Sequence, residues 1–364
     1  SVGTTRSMRV ASATLPLLGN QAGANFIPAV VTTIDEFECV STTDPNAVPV
    51  AGGNRCANVT AALSQADSLG TTVTFEADPA LMRQELVVGT HVVLASIQTE
   101  GNTTYVFQDF DRGRSIPLAL AILLLVVAVV GRWQGVRALG GLVVGLVMVA
   151  GYAAPLLAGG AGMIPIVTVT LPLVTLVLLY GAHGYNLKTT AAIIGTLTAT
   201  GIAVVGAVLA IKGMTLTGLS SEDGQLLVDN IATIDLRDVL AVSLVIRGFG
   251  ALNDVTVPQP SAVWELSATD GPSSGERAFT GAMRIGRDHI ASAIYTVAFA
   301  YAGSSLITLM LIMLSGMPTN VLANSELVAN EVAFLTVGLA ALVLSMPITT
   351  WVASLLANRV RRQS

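Results

Sequence analysis

The sequence predicts a membrane all-α bundle of about seven transmembrane helices, preceded by a small extracytoplasmic all-β domain. Three observations predict this fold class. Hydrophobic residues make up 52% of the chain and charged residues only 11%, whereas about 25% of the residues in a soluble domain are charged. Long apolar runs occur only after residue 114, and the part before it is polar. We therefore expect a β-rich domain at 1–114 and a seven-helix transmembrane domain at 115–364.

The polar N-terminal part carries the pattern of short strands. "TTVTFEA" (71–77) and "TTYVFQDFDR" (103–112) alternate in polarity, and "ELVVGTHVVLASIQ" (85–98) reads as strand, Gly turn, strand. Short strands separated by Gly, Asn and Pro turns are typical of a small β-barrel or sandwich. The stretch "VVGTHVVLA" favours a barrel of OB type.

The chain has two cysteines, Cys39 and Cys56, and both lie in this domain. A disulfide between them would close a loop of about 16 residues and stabilise the fold by about 3 kcal/mol. It would also place the domain in an oxidising compartment outside the cytoplasm. The alternative is a pair of unpaired core thiols. Two cysteines without a nearby histidine are too few for zinc, so no metal and no cofactor is expected.

Seven apolar runs follow, and each is long enough to cross a bilayer at 1.5 Å per helical residue. They lie near 116–131, 140–158, 165–182, 190–211, 238–257, 290–313 and 332–356.

Basic residues mark one side of the predicted bundle. They concentrate in alternate connections, namely Arg132, Arg137, Lys188, Arg277, Arg284, Arg287, Arg359, Arg361 and Arg362. The positive-inside rule assigns that side to the cytoplasm. The β-rich domain is then extracytoplasmic and the C-terminus cytoplasmic. The net charge of −5 and the lack of a basic stripe argue against nucleic-acid binding.

The fifth run contains the first candidate for a functional site, formed by Arg247, Asn253 and Asp254. Arg247 and Asp254 are seven residues apart, close to two helical turns, so both can face one direction. A charged side chain at the bilayer centre costs about 2.5–3.5 kcal/mol on insertion scales. Pro258 and Pro260 follow and predict a break in the helix. The pattern indicates an ion or proton site, or the mouth of a substrate path.

A structural role for Asp254 is the alternative. It could cap the next segment, or pair with Arg247 or with the arginines Arg284 and Arg287.

The start of the sixth run is the second candidate, because Arg284, Arg287, Asp288 and His289 are crowded there. They are candidates for the inner mouth of an ion or substrate path. The positive-inside rule alone also accounts for the arginines, and Asp288 could be the N-cap of the helix. No catalytic residues are predicted, because no nucleophile–base pair is visible.

Several stretches resemble the YibE/F-like family of bacterial membrane proteins. They are "GRWQGVRALGGL" (131–142), "LYGAHGYNLKTTAAIIGTL" (179–197), "GALNDVTVPQPSAVWEL" (250–266), "MRIGRDHIASAIYTVAFAYAG" (283–303) and "SMPITTWVAS" (345–354). The resemblance covers roughly residue 87 to the end. The most specific elements are Gly-Ala-x-x-Asp-Val at 250–255 and "MRIGRDHI" at 283–290.

The family resemblance implies a multi-pass protein of the bacterial inner membrane with an external domain, and no particular activity. It also implies a membrane helix before residue 1. The prolines after Val255 replace a Ser/Ala-rich stretch of the family, which predicts a sharper break here.

Three functions are considered. A secondary transporter or permease is indicated by Arg247 and Asp254 within a span. A non-enzymatic accessory subunit of a larger envelope or membrane complex is indicated by the external domain and by amphipathic segments within 214–238 and 315–333. An enzyme has the least support. The lipid bilayer is the expected partner, together with further copies or other subunits of a membrane complex.

Overall fold

A computed structural model describes residues 25–38, 55–64, 70–83, 86–99, 102–269 and 274–363. The chain divides into two compact units, residues 1–123 and 124–364. The first contains a β-sheet, and the second is helical.

The first unit contains a five-stranded sheet in the form of a half-barrel. Its strands are β1 (Asn25–Glu38), β2 (Arg55–Leu63), β3 (Thr72–Ala77), β4 (His91–Thr99) and β5 (Asn102–Phe110), with the short helix α1 (Pro79–Met82) between β3 and β4. The order is β3-β2-β1-β4-β5, and every neighbouring pair is antiparallel.

Alternation in the sequence builds the core of this sheet. Along β3 every second residue is buried, and Val73, Phe75 and Ala77 point into the core. The ring of Phe75 stacks on that of Phe107 from β5, with centroids 6.1 Å apart. Since β3 and β5 are the two edge strands, this contact shows that the sheet curls until its edges approach each other.

The predicted disulfide falls partly outside the described residues, because Cys39 is not among them. Cys56 is buried and lies opposite Phe37 in the β1–β2 ladder, and Glu38 lies opposite Arg55. The Cys39–Cys56 bond stays a prediction.

The helices of the chain are α2 (Ser115–Met148), α3 (Ala154–Ala158), α4 (Met163–Pro165), α5 (Leu171–His183), α6 (Leu187–Gly213), α7 (Glu222–Asn230), α8 (Leu236–Thr256), α9 (Pro258–Thr269), α10 (Ser274–Ser304), α11 (Leu306–Leu314), α12 (Thr319–Ala323) and α13 (Glu326–Gln363). Two π-helical segments, Val149–Ala153 and Ile166–Thr170, join α2 to α3 and α4 to α5.

Five helices of the described chain are long and apolar enough to cross a membrane, or six if the bent pair α10–α11 forms one span. They are Ser115–Ala158, Met163–His183, Leu187–Gly213, Leu236–Ala268 and Glu326–Val360. The chain is therefore a membrane protein with about five or six apolar helices.

The first of these helices contains two of the predicted spans. The backbone at Arg132 is not helical, with φ 50° and ψ −147°. A Cβ on Gly135 would lie 2.7 Å from a methyl group of Val127, although eight residues of straight helix would separate the two by about 12 Å. The chain therefore turns sharply at Arg132, between the first and second predicted spans.

The centre of the helical unit is the packing of α6, α8 and α13. Small residues allow these helices to approach closely. A Cβ on Gly195 of α6 would overlap the side chain of Thr349 on α13, and a Cβ on Gly248 of α8 would lie 3.5 Å from the Cα of Gly338 on α13. The buried residues around these contacts are Ala199, Ala203, Ala207, Leu244, Val245, Leu252, Val337, Ala341 and Leu342.

Buried polar side chains join the same helices. The hydroxyls of Thr196 on α6 and Thr256 on α8 are 2.7 Å apart. Thr350 on α13 donates a hydrogen bond of 2.9 Å to the side-chain carbonyl of Gln259 on α9, which is 1% exposed. Hydroxyl and amide groups in an apolar interior are stable when they are bonded across helices in this way.

The predicted break at Pro258 is not a sharp bend. Only Val257 separates α8 from α9, its backbone stays helical, and its N–H bonds to the carbonyl of Asn253. Pro258 has no N–H, so the carbonyl of Asp254 lacks its usual helical hydrogen bond, yet the helix continues from Leu236 to Ala268. The bend of more than 40° in a described apolar helix lies instead between α10 and α11.

The expectation that Asp288 caps the sixth span is wrong. Helix α10 begins at Ser274 and continues to Ser304, so Asp288 lies within it and cannot supply the bonds of an N-cap. The helix becomes hydrophobic near residue 290, but it begins 16 residues earlier, at Ser274.

We predict that Cys39 and Cys56 form the disulfide. Denatured protein prepared without reductant should show no thiol that reacts with iodoacetamide, and two after treatment with dithiothreitol, as measured by intact mass. Two reactive thiols before reduction would exclude the bond.

We predict that Gly195→Ala destabilises the helical unit by about 1–3 kcal/mol, the usual cost of inserting a methyl group into a close-packed core. The measurement is thermal unfolding in detergent micelles. Gly201→Ala is the matched control on the same helix, because nothing lies within 4 Å of the position that its methyl group would take. Equal melting temperatures for the two variants would show that α6 and α13 do not depend on this contact.

Candidate functional site

The helices α10 and α11 are joined by a bend. The two axes meet at 57°, and Ser305 lies at the bend. Gly303 and Ser304 precede it, and kinks are common at Gly and Ser pairs. The N–H of Ser305 still donates to the carbonyl of Tyr301 at 2.9 Å. The helix is thus bent without losing this backbone bond.

A carboxylate from α13 meets the bend. The hydroxyl of Ser305, which is 8% exposed, donates a hydrogen bond of 2.8 Å to Glu331. Hydrogen bonds to charged groups contribute about 1.5–3 kcal/mol. Glu331 therefore helps to hold the bent conformation and is itself fixed in position by it.

Arg247 of α8 lies beside the same bend. Its guanidinium carbon is 3.7 Å from the ring centroid of Phe334 and 5.8 Å from that of Tyr301, so it is held by cation–π contacts. No carboxylate of the described residues lies within ion-pair distance of it. Arg247, Tyr301, Ser305, Glu331 and Phe334 together are called the break cluster.

The break cluster places opposite charges at a helix break within apolar helices. Arg247 lies roughly 16 Å along the axis from the start of α8, at 1.5 Å per residue. Ionisable residues at membrane depth and discontinuous helices both mark ion and substrate sites in membrane proteins. Among the described residues, no group of three or more His, Cys, Asp or Glu side chains could hold a metal ion.

Asp254 is separate from the break cluster. It lies near the middle of the 33-residue apolar helix Leu236–Ala268, and its side chain is exposed on the surface of the chain. No hydrogen bond or ion pair joins it to another described side chain, so the alternative pairs with Arg247, Arg284 and Arg287 are not formed. The neighbouring Asn253 accepts a long hydrogen bond of 3.5 Å from Thr196.

The four candidates at the start of the sixth run lie along α10. Arg284, Arg287, Asp288 and His289 are all exposed, whereas Gly286 between them is the position that packs against Gln259 and Met346. Within the described part of the chain they form no ion pair with each other or with Asp254. The structure does not bring them to the break cluster.

Sequence reasoning identified Arg247 and missed its partners. Tyr301 and Ser305 were only part of the sixth apolar run, Glu331 of the amphipathic segment 315–333, and Phe334 of the seventh run near 332–356. The Gly-Ser-Ser run at 303–305 was the available signal for a break. The packing of α13 decides which carboxylate contacts the bend. No local sequence pattern encodes that packing.

The family model described as YibE/F-like protein matches residues 119–359. The chain belongs to the YibE/F-like family. The match includes Asp254 and every residue of the break cluster. No curated protein and no solved structure matches the chain. Family membership therefore establishes the kind of protein, and the function has to be argued from the helices themselves.

We predict that Ser305→Ala lowers the stability of this YibE/F-like protein by about 1.5–3 kcal/mol, because Glu331 loses its charge-assisted hydrogen bond. Ser304→Ala is the matched control, since the exposed Ser304 hydroxyl donates to the carbonyl of Tyr301 and makes no other hydrogen bond to a described residue. Thermal unfolding in micelles compares the two. Equal losses would mean that the Ser305–Glu331 bond does not stabilise the bend.

Proposed function

We propose that this YibE/F-like protein is a secondary transporter or permease whose path includes Asp254. The observation that carries the proposal is a carboxylate near the middle of an apolar helix, exposed and without a partner among the described residues. Facing lipid, an ionised Asp at this depth would cost about 2.5–3.5 kcal/mol. Water or a polar solute on that side of α8 removes this cost.

The break cluster supports the same proposal. Among the described residues, Arg247 is held by two aromatic rings and Glu331 by one hydroxyl. Such side-chain contacts can be exchanged for contacts to a solute or ion without breaking a backbone hydrogen bond. The bend at Ser305 gives α10 and α11 a joint at which one segment can move against the other.

The finer architecture belongs to the proposal as well. The helix Ser115–Ala158 supplies one crossing before Arg132 and one after it, and the bent pair α10–α11 supplies one more. Together with the other four apolar helices, the chain crosses the membrane seven times. The basic connections then face the cytoplasm of a bacterial cell, and the half-barrel is an extracytoplasmic domain of OB type. Its strand order and the approach of β3 to β5 support that assignment.

An accessory subunit of a larger membrane complex is the second candidate. One observation favours it: in the most apolar window of Ser115–Ala158, none of the residues is buried within the chain. A second copy or another subunit could cover this helix. Purification in mild detergent would distinguish the candidates, because an accessory subunit would retain partners in fixed stoichiometry.

We predict that water reaches Asp254. An Asp254→Cys variant, in a background with Cys39→Ser and Cys56→Ser, should react with a membrane-impermeant maleimide in intact cells or in inverted vesicles. Val205→Cys is the control, because Val205 is an apolar side chain that is 60% exposed on the apolar helix α6. That variant should stay unlabelled in both preparations.

Protection of Asp254→Cys from both sides would contradict the transport proposal. The accessory candidate would then be favoured, with Asp254 covered by another chain. Labelling from either side would be followed by ion flux measurements in proteoliposomes with wild-type protein and Asp254→Asn.

A further inference from the structure

A second polar site lies at the other end of α6, away from Asp254. A cavity of about 550 Å³ opens between α4, the end of α6 and the start of α8. Its volume is within the range of about 300–1,000 Å³ that small-molecule sites have. The polar groups of its wall are Lys212, Thr215, Asp235, Arg237 and Asp238, and the rest of the wall is apolar.

The charged side chains around this cavity are not paired with each other. Within the described residues, neither Lys212 nor Arg237 has a carboxylate oxygen within 4.0 Å. Asp235 accepts the backbone N–H of Arg237 and so caps α8. Asp238 forms no hydrogen bond or ion pair with the other described residues, and a Cβ at Gly162 would lie 3.3 Å from one of its oxygens. Two cations and one carboxylate are therefore available to a ligand.

Thr215 on the wall has a strained backbone. Its φ is +50°, which a β-branched residue rarely adopts. The N–H of Leu216 bonds to the carbonyl of Ile211, so Thr215 occupies the left-handed position after a helix where glycine is usual. Strained residues cluster at binding sites, where the surrounding structure holds them.

The strained segment is fixed from outside the cavity. Glu326 of α13 accepts hydrogen bonds from the N–H groups of Thr217 and Gly218, at 2.5 and 2.7 Å, and from the Thr217 hydroxyl at 2.7 Å. Three bonds to one carboxylate hold the residues that follow Thr215. The wall is thus preorganised, which lowers the entropic cost of binding.

We infer that this cavity binds a small zwitterion of about dipeptide size. Lys212 and Arg237 recognise its acidic group, Asp238 its ammonium group, and the apolar wall the body between them. The Thr215 hydroxyl already donates to the carbonyl of Met214 at 2.8 Å, and its oxygen accepts a hydrogen bond from the ammonium group. The inference does not depend on transport, since an accessory subunit could bind the same ligand.

Two sources carry this chemistry: a free dipeptide-like solute, and the phosphoethanolamine headgroup of a lipid. Both present an acidic group and an ammonium with N–H donors. Phosphatidylcholine is the control lipid, because its quaternary ammonium has no N–H to donate.

The test is calorimetric titration of the purified full chain in micelles with alanyl-leucine. N-acetyl-alanyl-leucine retains only the acidic group, and alanyl-leucine amide retains only the ammonium. The zwitterion should bind about tenfold more tightly than either, because each control loses a charge-assisted contact. Asp238→Asn and Lys212→Gln should each weaken its binding by about tenfold for the same reason.

If the ligand is a lipid, native mass spectrometry provides the supporting result. Phosphatidylethanolamine would remain bound in native mass spectrometry, Asp238→Asn would release it, and phosphatidylcholine would not replace it. If the chain retains neither the dipeptide nor phosphatidylethanolamine in an Asp238-dependent way, the inference is overturned.

Thr215→Gly separates binding from folding. Glycine adopts positive φ without strain, so the melting temperature should stay the same or rise while zwitterion affinity falls. If this variant binds the zwitterion as tightly as the wild type, Thr215 does not contact the ligand. The strained backbone at Thr215 would then have no role in binding.

Discussion

The close approach of α6, α8 and α13 is the constraint on which the helical unit depends. Gly195 lies against Thr349, and Gly248 lies against Gly338, so the three backbones come closer than larger side chains would permit. At this separation short hydroxyl side chains reach across the interface, as Thr196 does to Thr256. Small residues and hydroxyls are what apolar helices use to associate in lipid, where the hydrophobic effect does not draw them together.

Both polar sites follow from the position of α13. Its first turns carry Glu326, which fixes the loop after α6, and Glu331 and Phe334, which meet the bend of α10 and the guanidinium of Arg247. A movement of α13 against α6 would therefore alter the break cluster and the wall of the charged cavity together. The Gly248–Gly338 contact lies beside the break cluster, because Gly248 follows Arg247 and a Cβ on Gly338 would lie 3.7 Å from the Tyr301 hydroxyl.

The break expected at Pro258 and the bend found at Ser305 illustrate how context overrides a local signal. Proline at 258 removes the hydrogen bond to the carbonyl of Asp254, but the helix continues through it from Leu236 to Ala268. The weaker run Gly303-Ser304-Ser305 bends the chain by 57°. Glu331 from another helix bonds to Ser305 at that point. The bend is stable because a polar side chain at the bend, Ser305, has a hydrogen-bond partner. That partner, Glu331, is distant in sequence.

The membrane class, the alternating strands and most apolar helices followed from the sequence alone, because hydropathy and two-residue alternation are local properties. Membership of the YibE/F-like family was also evident from short stretches, and the family match confirms it. Only the tertiary structure decided that Arg247 meets Phe334 and Tyr301 while Asp254 stays unpaired among the described residues. Contacts of this kind join helices far apart in the chain. They depend on interhelical distances that small buried residues set jointly, and no single stretch of sequence contains that information.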